Sequence, residues 1–446
     1  MARRVTKSVS DLRILGSRIL GSRTLFTTGK QTVPAHDTLT KTTKQSETKR
    51  TVDLPLFADK ITEFKQGSHD IKDVVLQKIQ QKINSGCADH FMVCELGKLR
   101  ERFELWQLHM PRVQPLYAIK CNDDPRILEV LASLGCGFDC ASWHEIDTAL
   151  TLVQRENIIF ANPCKQQSHL EKAREHNVSL MTFDSSDELA KISACYPEAQ
   201  CVLRLLTEGK DTACDFSSIF GSKITDVPFL LAQARSYNLD VVGVSFHCGG
   251  ANSNPTSYRD ALDNARAAFE IGTQAGYDFK LLDIGGGFPG SSDKDHIFAE
   301  ICKSMHFDDF DPDVRIIAQP GRFFVTSAQI LATRVFSMKQ KPNNSFAYYI
   351  NDGIYGSLNN ILYDNAKPIA RKFVPAGNAS PAETPETFTS TIFGPTCDSL
   401  DCVAKNVRLP RMEVDDWFVF ENMGAYTNVR GCEFNGMPRP KFEYVE

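Results

Sequence analysis

A lysine that closes an apolar run, three consecutive glycines and a later arginine carry most of the chemistry in this 446-residue sequence. The lysine is Lys120, in LYAIKCN (116–122). An amine at the end of a buried strand points into a partly dry mouth, where its pKa can fall and it can condense with a carbonyl. The glycines are Gly285, Gly286 and Gly287, in LDIGGGFPG (282–290). Lacking Cβ atoms, they let backbone N–H groups close around a phosphate. Arg322, in AQPGRFF (318–324), would bring a cation to the same anion, and Asp139 and His247 also end apolar runs. Each feature has a plainer reading: a solvated strand end, an ordinary glycine turn, a satisfied core histidine. Which reading holds depends on the elements that position them.

Eight strand-like runs follow one another: PLYAIK (115–120), GFDCA (137–141), NIIFANP (157–163), SLMTFD (179–184), CVLRLL (201–206), VVGVSFH (241–247), KLLDIG (280–285) and VRIIAQ (314–319). Helical patterns separate them, as in DPRILEVLASLG (124–135), where Ile127, Leu128, Leu131 and Leu134 share a face. Alternating strands and helices predict a parallel sheet, and eight units predict a closed (β/α)8 barrel. Barrel sites form at the carboxyl ends of the strands, and phosphates usually sit after strands seven and eight. A lysine on strand one with a phosphate cradle on strands seven and eight is the arrangement that pyridoxal 5'-phosphate requires.

After Gln319 the alternation stops. Short β runs follow from about residue 328 (QILATRVFSM, SFAYYIND, TSTIFGP, DWFVFENM), which predicts a C-terminal all-β domain. The expected organisation is a basic, disordered extension over 1–50, an N-terminal segment over 51–95 that joins the β domain through a strand near 51–70, the barrel over 96–328 and the β domain over 329–446. The stretch from Pro375 to Thr387 reads as a surface loop or disordered. The first fifty residues hold eleven Lys/Arg against three Asp/Glu, so an organelle transit peptide competes with the disordered reading. No cleavage site stands out, and a cytoplasmic location is expected. A net charge of −5 gives no nucleic-acid footprint, and no apolar run is long enough to span a bilayer. Fourteen cysteines without paired spacing predict reduced thiols rather than staples or a metal site.

Several longer stretches carry a resemblance: LYAIKCN, GFDCASWHEI (137–146), FANPCKQ (160–166), GVSFHCGG (243–250), LDIGGGFPG, PGRFFV (320–325), YYINDGIYGSLNNILYD (348–364), FGPTCDSLDCV (393–403) and ENMGAYT (421–427). On these the chain resembles the eukaryotic ornithine decarboxylases, alanine-racemase-like pyridoxal-phosphate enzymes, from about residue 85 onward. The resemblance implies a barrel followed by a β domain and decarboxylation of ornithine to putrescine. It implies Lys120 as the lysine that binds the cofactor covalently, His247 stacked on the ring, and Asp139 and Glu145 in support. Gly250, Gly286, Gly287, Gly321, Arg322 and Tyr426 would hold the cofactor, with Gln319 near its ring nitrogen. Tyr363, Asp364 and Asp398 would meet the substrate, Cys397 would protonate Cα, and Asp398 would reach in from the partner of a homodimer. Paired carboxylates suit a cationic tail and a thiol is a workable proton donor near neutral pH, although turn aspartates and a core thiol are the simpler readings.

Three positions depart from the family. Gln319 stands where the family has a glutamate that keeps the ring nitrogen protonated. A hydrogen bond to a charged group is worth roughly 1.5–3 kcal/mol. Its loss from the transition state would slow the reaction roughly ten- to a hundredfold. In CDFSSIFG (214–221), Asp215 replaces an arginine and Ile219 a lysine, and at Gly249-Gly250-Ala251 a phosphate-binding hydroxyl is lost. Two alternatives to ornithine decarboxylation therefore stand: a relative retuned for another amino acid, and a non-catalytic protein that binds antizyme, as the family's antizyme inhibitors do.

Overall fold

The computed structural model describes residues 71–207, 219–373 and 386–446. The basic extension, the strand expected near 51–70, Asp215 and nearly all of the Pro375–Thr387 stretch lie outside the described residues.

The helix Ile71–Ser85 leads into β1 (Phe91–Glu95). Eight strands then close a parallel barrel: β2 (Val113–Ala118), β3 (Gly137–Cys140), β4 (Ile158–Phe160), β5 (Leu180–Phe183), β6 (Gln200–Arg204), β7 (Asp240–Ser245), β8 (Leu281–Asp283) and β9 (Arg315–Ala318). β2 pairs with both β3 and β9, which closes the ring. These are the eight expected runs, each ending one to three residues earlier than its apolar stretch. The crossover helices start where capping side chains take the first orphan N–H groups. Asp124 caps Pro125–Ser133, Ser142 caps Trp143–Leu150 and Ser185 caps Ser186–Cys195.

Inside the barrel, Leu116, Ile159, Val202, Leu281 and Ile317 pack as an apolar plug. Side chains two residues further along a strand lie on the same face, one step nearer the carboxyl ends. There the residues are Ala118, Ala161, Arg204, Asp283 and Gln319, joined by Asp139, Thr182 and Ser245 from the remaining strands. A polar layer thus lies directly on the plug, and it forms the floor of the mouth.

The second domain is built on β10 (Gln329–Gln340), β11 (Phe346–Ile350), β12 (Arg371–Lys372), β13 (Thr387–Phe393), β14 (Cys402–Pro410), β15 (Trp417–Phe420) and β16 (Lys441–Val445). The first half of β10 pairs with β1 and β15, and its second half with β11 across an irregularity between Val335 and Ser337. β1 is the N-terminal strand of this domain, pairing also with β16. β14 was missed in the sequence because its exposed Lys405 and Asn406 hide the alternation of a half-buried strand.

Candidate active site

Lys120 lies beyond β2, in the one-turn helix Ile119–Cys121, and its amine is ion-paired with Asp139 at the end of β3. Tyr117 locks this turn by donating its hydroxyl to the Asn122 carbonyl at 2.9 Å. The segment 421–427 of the β domain closes over it: Tyr426 N–H donates to the Cys121 carbonyl and Asn122 Nδ2 to the Gly424 carbonyl, at 2.9 and 2.8 Å. The expectation of a lowered lysine pKa is overturned. Burial pushes it down, but the charge of Asp139, with Tyr426 and Glu145 behind it, prevails and holds Lys120 above its ordinary value. Glu145 accepts the Ala141 N–H at 2.5 Å and is itself raised by burial.

His247 follows β7, and its Nδ1 accepts the Gly249 N–H at 3.1 Å. Burial, then the charges of Arg204 and Lys120, push it down to about 3, so it is a neutral imidazole at neutral pH. Gly285 and Gly287 have φ of +64° and +98°, a region other residues enter only with strain. A Cβ at Gly286 would collide with the Gln319 carbonyl and sit 3.1 Å from His247 Nε2, and one at Gly287 would collide with the Gly249 carbonyl. The turn 285–287 is therefore glycine because two other strand-end loops press against it. Gly250 lies in one of those loops, before Ala251, whose φ is +51°.

Arg322 opens the short helix Arg322–Val325 directly after Gly321, whose missing side chain makes room for Cys121. Its guanidinium pairs with Asp364 at 2.5 Å and lies over the Tyr426 ring at 5.1 Å. Residues assigned to cofactor and to substrate are thus in direct contact. Burial lowers Arg322, but the Asp364 carboxylate overrides it and keeps the guanidinium firmly charged.

Cys397 and Asp398 are placed differently. They lie on the β13–β14 connection, where Cys397 N–H donates to Asn435 at 3.1 Å and Asp398 accepts from Tyr355 and from Leu400 N–H. None of these partners belongs to the barrel mouth. Tyr363 is 62% exposed. Ile219, at a departed position, is likewise exposed at 65%.

Two residues of the floor went unrecognised in the sequence. Asp283 on β8 is fully buried, accepts the Gly285 N–H at 2.9 Å and the Gln319 amide at 2.6 Å, and is pushed up to about 7, mainly by burial. Arg204 on β6 is lowered by burial against the attraction of Asp184, Asp283 and Asp139. A lone charge inside an apolar strand run was the signal available for each.

This mouth fits pyridoxal phosphate. It offers an amine, a glycine turn with a guanidinium, and a neutral imidazole. Its floor carries buried polar atoms that no described residue satisfies: Asp139 Oδ1, Thr182 Oγ1 and Ser245 Oγ. Such atoms are costly unless a ligand or water meets them.

The family described as "Pyridoxal-dependent decarboxylase, pyridoxal binding domain" matches residues 96–326. The chain belongs to this family of alanine-racemase-fold decarboxylases, and pyridoxal phosphate is its cofactor. It is 42% identical to ornithine decarboxylase of Mus musculus over 395 residues, covering 84% of each chain. It is 38% identical to antizyme inhibitor 2 of Xenopus laevis over 398 residues, 85% of each. Among solved structures, the arginine decarboxylase of Paramecium bursaria Chlorella virus superposes with a TM-score of 0.78 at 31% identity, over 84% of this chain and 100% of that one. The lysine/ornithine decarboxylase of Vibrio vulnificus complexed with putrescine gives 0.74 at 25% identity, over 83% and 98%.

Proposed function

We propose that this chain decarboxylates L-ornithine to putrescine, as its relatives' names state of them. The observation that carries the proposal is the Lys120–Asp139 pair on a barrel floor whose polar atoms await a ligand. When bound, pyridoxal phosphate supplies a carbonyl for an amine and an electron-poor ring that accepts the electron pair released as carbon dioxide leaves. Asp139 holds the Lys120 amine at one point of the mouth. Arg322 and the turn 285–287 would hold the phosphate, with Gly250, Gly321 and Tyr426 around them. Neutral His247 can lie against the ring without adding a positive charge.

Asp364 and Asp398 would bind the distal ammonium beside Tyr363, and Cys397 would return a proton to Cα. Since, among the described residues, Cys397 and Asp398 hydrogen-bond within the β domain, the proposal includes a homodimer in which each copy lends this loop to the other's mouth. A cytoplasmic location is part of the same proposal. The similarity to antizyme inhibitor 2 supports a second reading, in which the chain also binds antizyme.

The test is carbon dioxide release from ornithine, lysine and arginine by the full chain with added cofactor, alongside antizyme capture. Release from ornithine, lost with Lys120→Ala, is expected. Release from lysine or arginine alone would move the reading to a retuned relative. No release with antizyme capture would leave the binding function.

A further inference from the structure

Gln319 is where the sequence departs from its family at the ring itself, and the structure shows what holds it. Its backbone N–H donates to the Gly285 carbonyl at 2.6 Å, which fixes the residue over the glycine turn beside His247. Its side-chain Nε2 donates to Asp283 Oδ2 at 2.6 Å, and Asp283 is fully buried, its other oxygen taken by the Gly285 N–H. An ionised carboxylate has only acceptor sites, so it captures the NH2 end of an amide and repels the carbonyl end. While Asp283 is ionised, the state that Arg204 and a positively charged ring nitrogen favour, the amide is not free to flip. Its NH2 is committed to Asp283 in the floor of the mouth, and its oxygen is the side-chain polar atom left over for a ligand there.

We propose that Asp283 is a positioning residue that makes Gln319 a hydrogen-bond acceptor toward the cofactor, so that the mouth selects the protonated form of the ring nitrogen. This rests on the reading that pyridoxal phosphate binds at Lys120. The cofactor's phosphate dianion, phenolate oxygen and carbonyl are acceptors and cannot pair with an amide oxygen. The ring nitrogen can, once it carries a proton. The neutral amide thus regains part of what the loss of a carboxylate removed, because the charge has moved one residue back, to Asp283. The charged groups facing Asp283 are Arg204, which favours its ionised form, and Asp139, which opposes it. A protonated ring nitrogen beyond Gln319 adds to the side of Arg204.

The test uses the full chain loaded with cofactor labelled with nitrogen-15 in the ring, whose chemical shift separates protonated from bare nitrogen, titrated with pH. Wild type is expected in the protonated range at neutral pH. Asp283→Asn, which lets the amide turn either way, and Gln319→Met, which removes the acceptor, should each lower the ring-nitrogen protonation constant about tenfold. Gln319→Glu should hold the proton at least as well as wild type. In the Gln319→Met background, Asp283→Asn should have a clearly smaller effect than in wild type, the remainder being the direct field of its charge, because most of its effect runs through the amide. A shift unmoved by Asp283→Asn, or a full effect of Asp283→Asn without Gln319, overturns the proposal while leaving the cofactor reading intact. Failure of wild type to take up labelled cofactor overturns that reading and this proposal with it.

Discussion

The barrel mouth and the β13–β14 loop hold the two halves of the proposed site in opposite physical states. At the mouth, Asp139 and Asp283 are fully buried, Lys120 and Arg322 are ion-paired, and His247 is driven to about 3 by burial and its cationic neighbours. At the loop, Cys397 is exposed and Asp398 is bonded within its own domain, lowered by the Leu400 N–H and the Tyr355 hydroxyl. One chain supplies a desolvated electrostatic frame for the cofactor. Of the groups proposed to meet the substrate, Asp364 belongs to that frame, whereas Cys397 and Asp398 lie apart from it, where they have little reason to be reactive until something covers them. Cofactor binding and turnover should therefore separate experimentally.

The largest effect is expected at Lys120. Lys120→Ala should cut carbon dioxide release by at least about 10²- to 10⁴-fold, the range set by positioned proton-transfer groups, and abolish the bound cofactor's visible absorbance band in the full chain. Next, Cys397→Ala should slow product formation by about 10²-fold while that band stays at wild-type intensity. A cofactor band lost with Cys397→Ala would erase the distinction between the two regions. Mixing the Lys120→Ala and Cys397→Ala chains sharpens it further: activity should return if the loop serves a second copy, and stay absent if each chain completes its own site.

Thiol labelling probes the same contrast more gently. Cys397 should react with a maleimide in the native chain, and more slowly once chain concentration drives pairing. Cys121 should stay inert, since burial pushes it up to about 12 and the thiolate is the reactive form.

The smallest effect is in acid. His247 titrates near 3 in the folded chain against an ordinary 6.5, so between those values the unfolded chain binds more protons. Its contribution to stability is intact above 6.5 and is lost as pH falls toward 3, with a slope of up to about 1 kcal/mol per pH unit. Asp283, raised to about 7 from 3.8, gives the opposite slope, because there the folded chain binds the extra proton. Denaturant titrations of the cofactor-free chain should show stability less sensitive to acid in His247→Gln, and the reverse in Asp283→Asn.

The fold was legible because its signals are local. Eight apolar runs and the loss of alternation after Gln319 can each be read within a dozen residues. Lys120, Gly286, Gly287 and Arg322 were legible for the same reason, since a strand end or a glycine triplet announces its own geometry. The exposed strand β14 was not, because a strand wet on one face has a composition close to that of a loop.

The sequence by itself determined which strands exist and in what order, and so which residues reach the carboxyl end of a barrel. Only the tertiary structure decided which of them meet. The parallel pairing of β8 with β9 brings Asp283 to Gln319 across 36 positions, and the β domain brings Asp364 to Arg322 across 42. The charge on Lys120, the neutrality of His247 and the fixed amide of Gln319 all follow from such encounters. A side chain's type is written locally, but its protonation and orientation depend on the field of neighbours that the chain supplies only by folding.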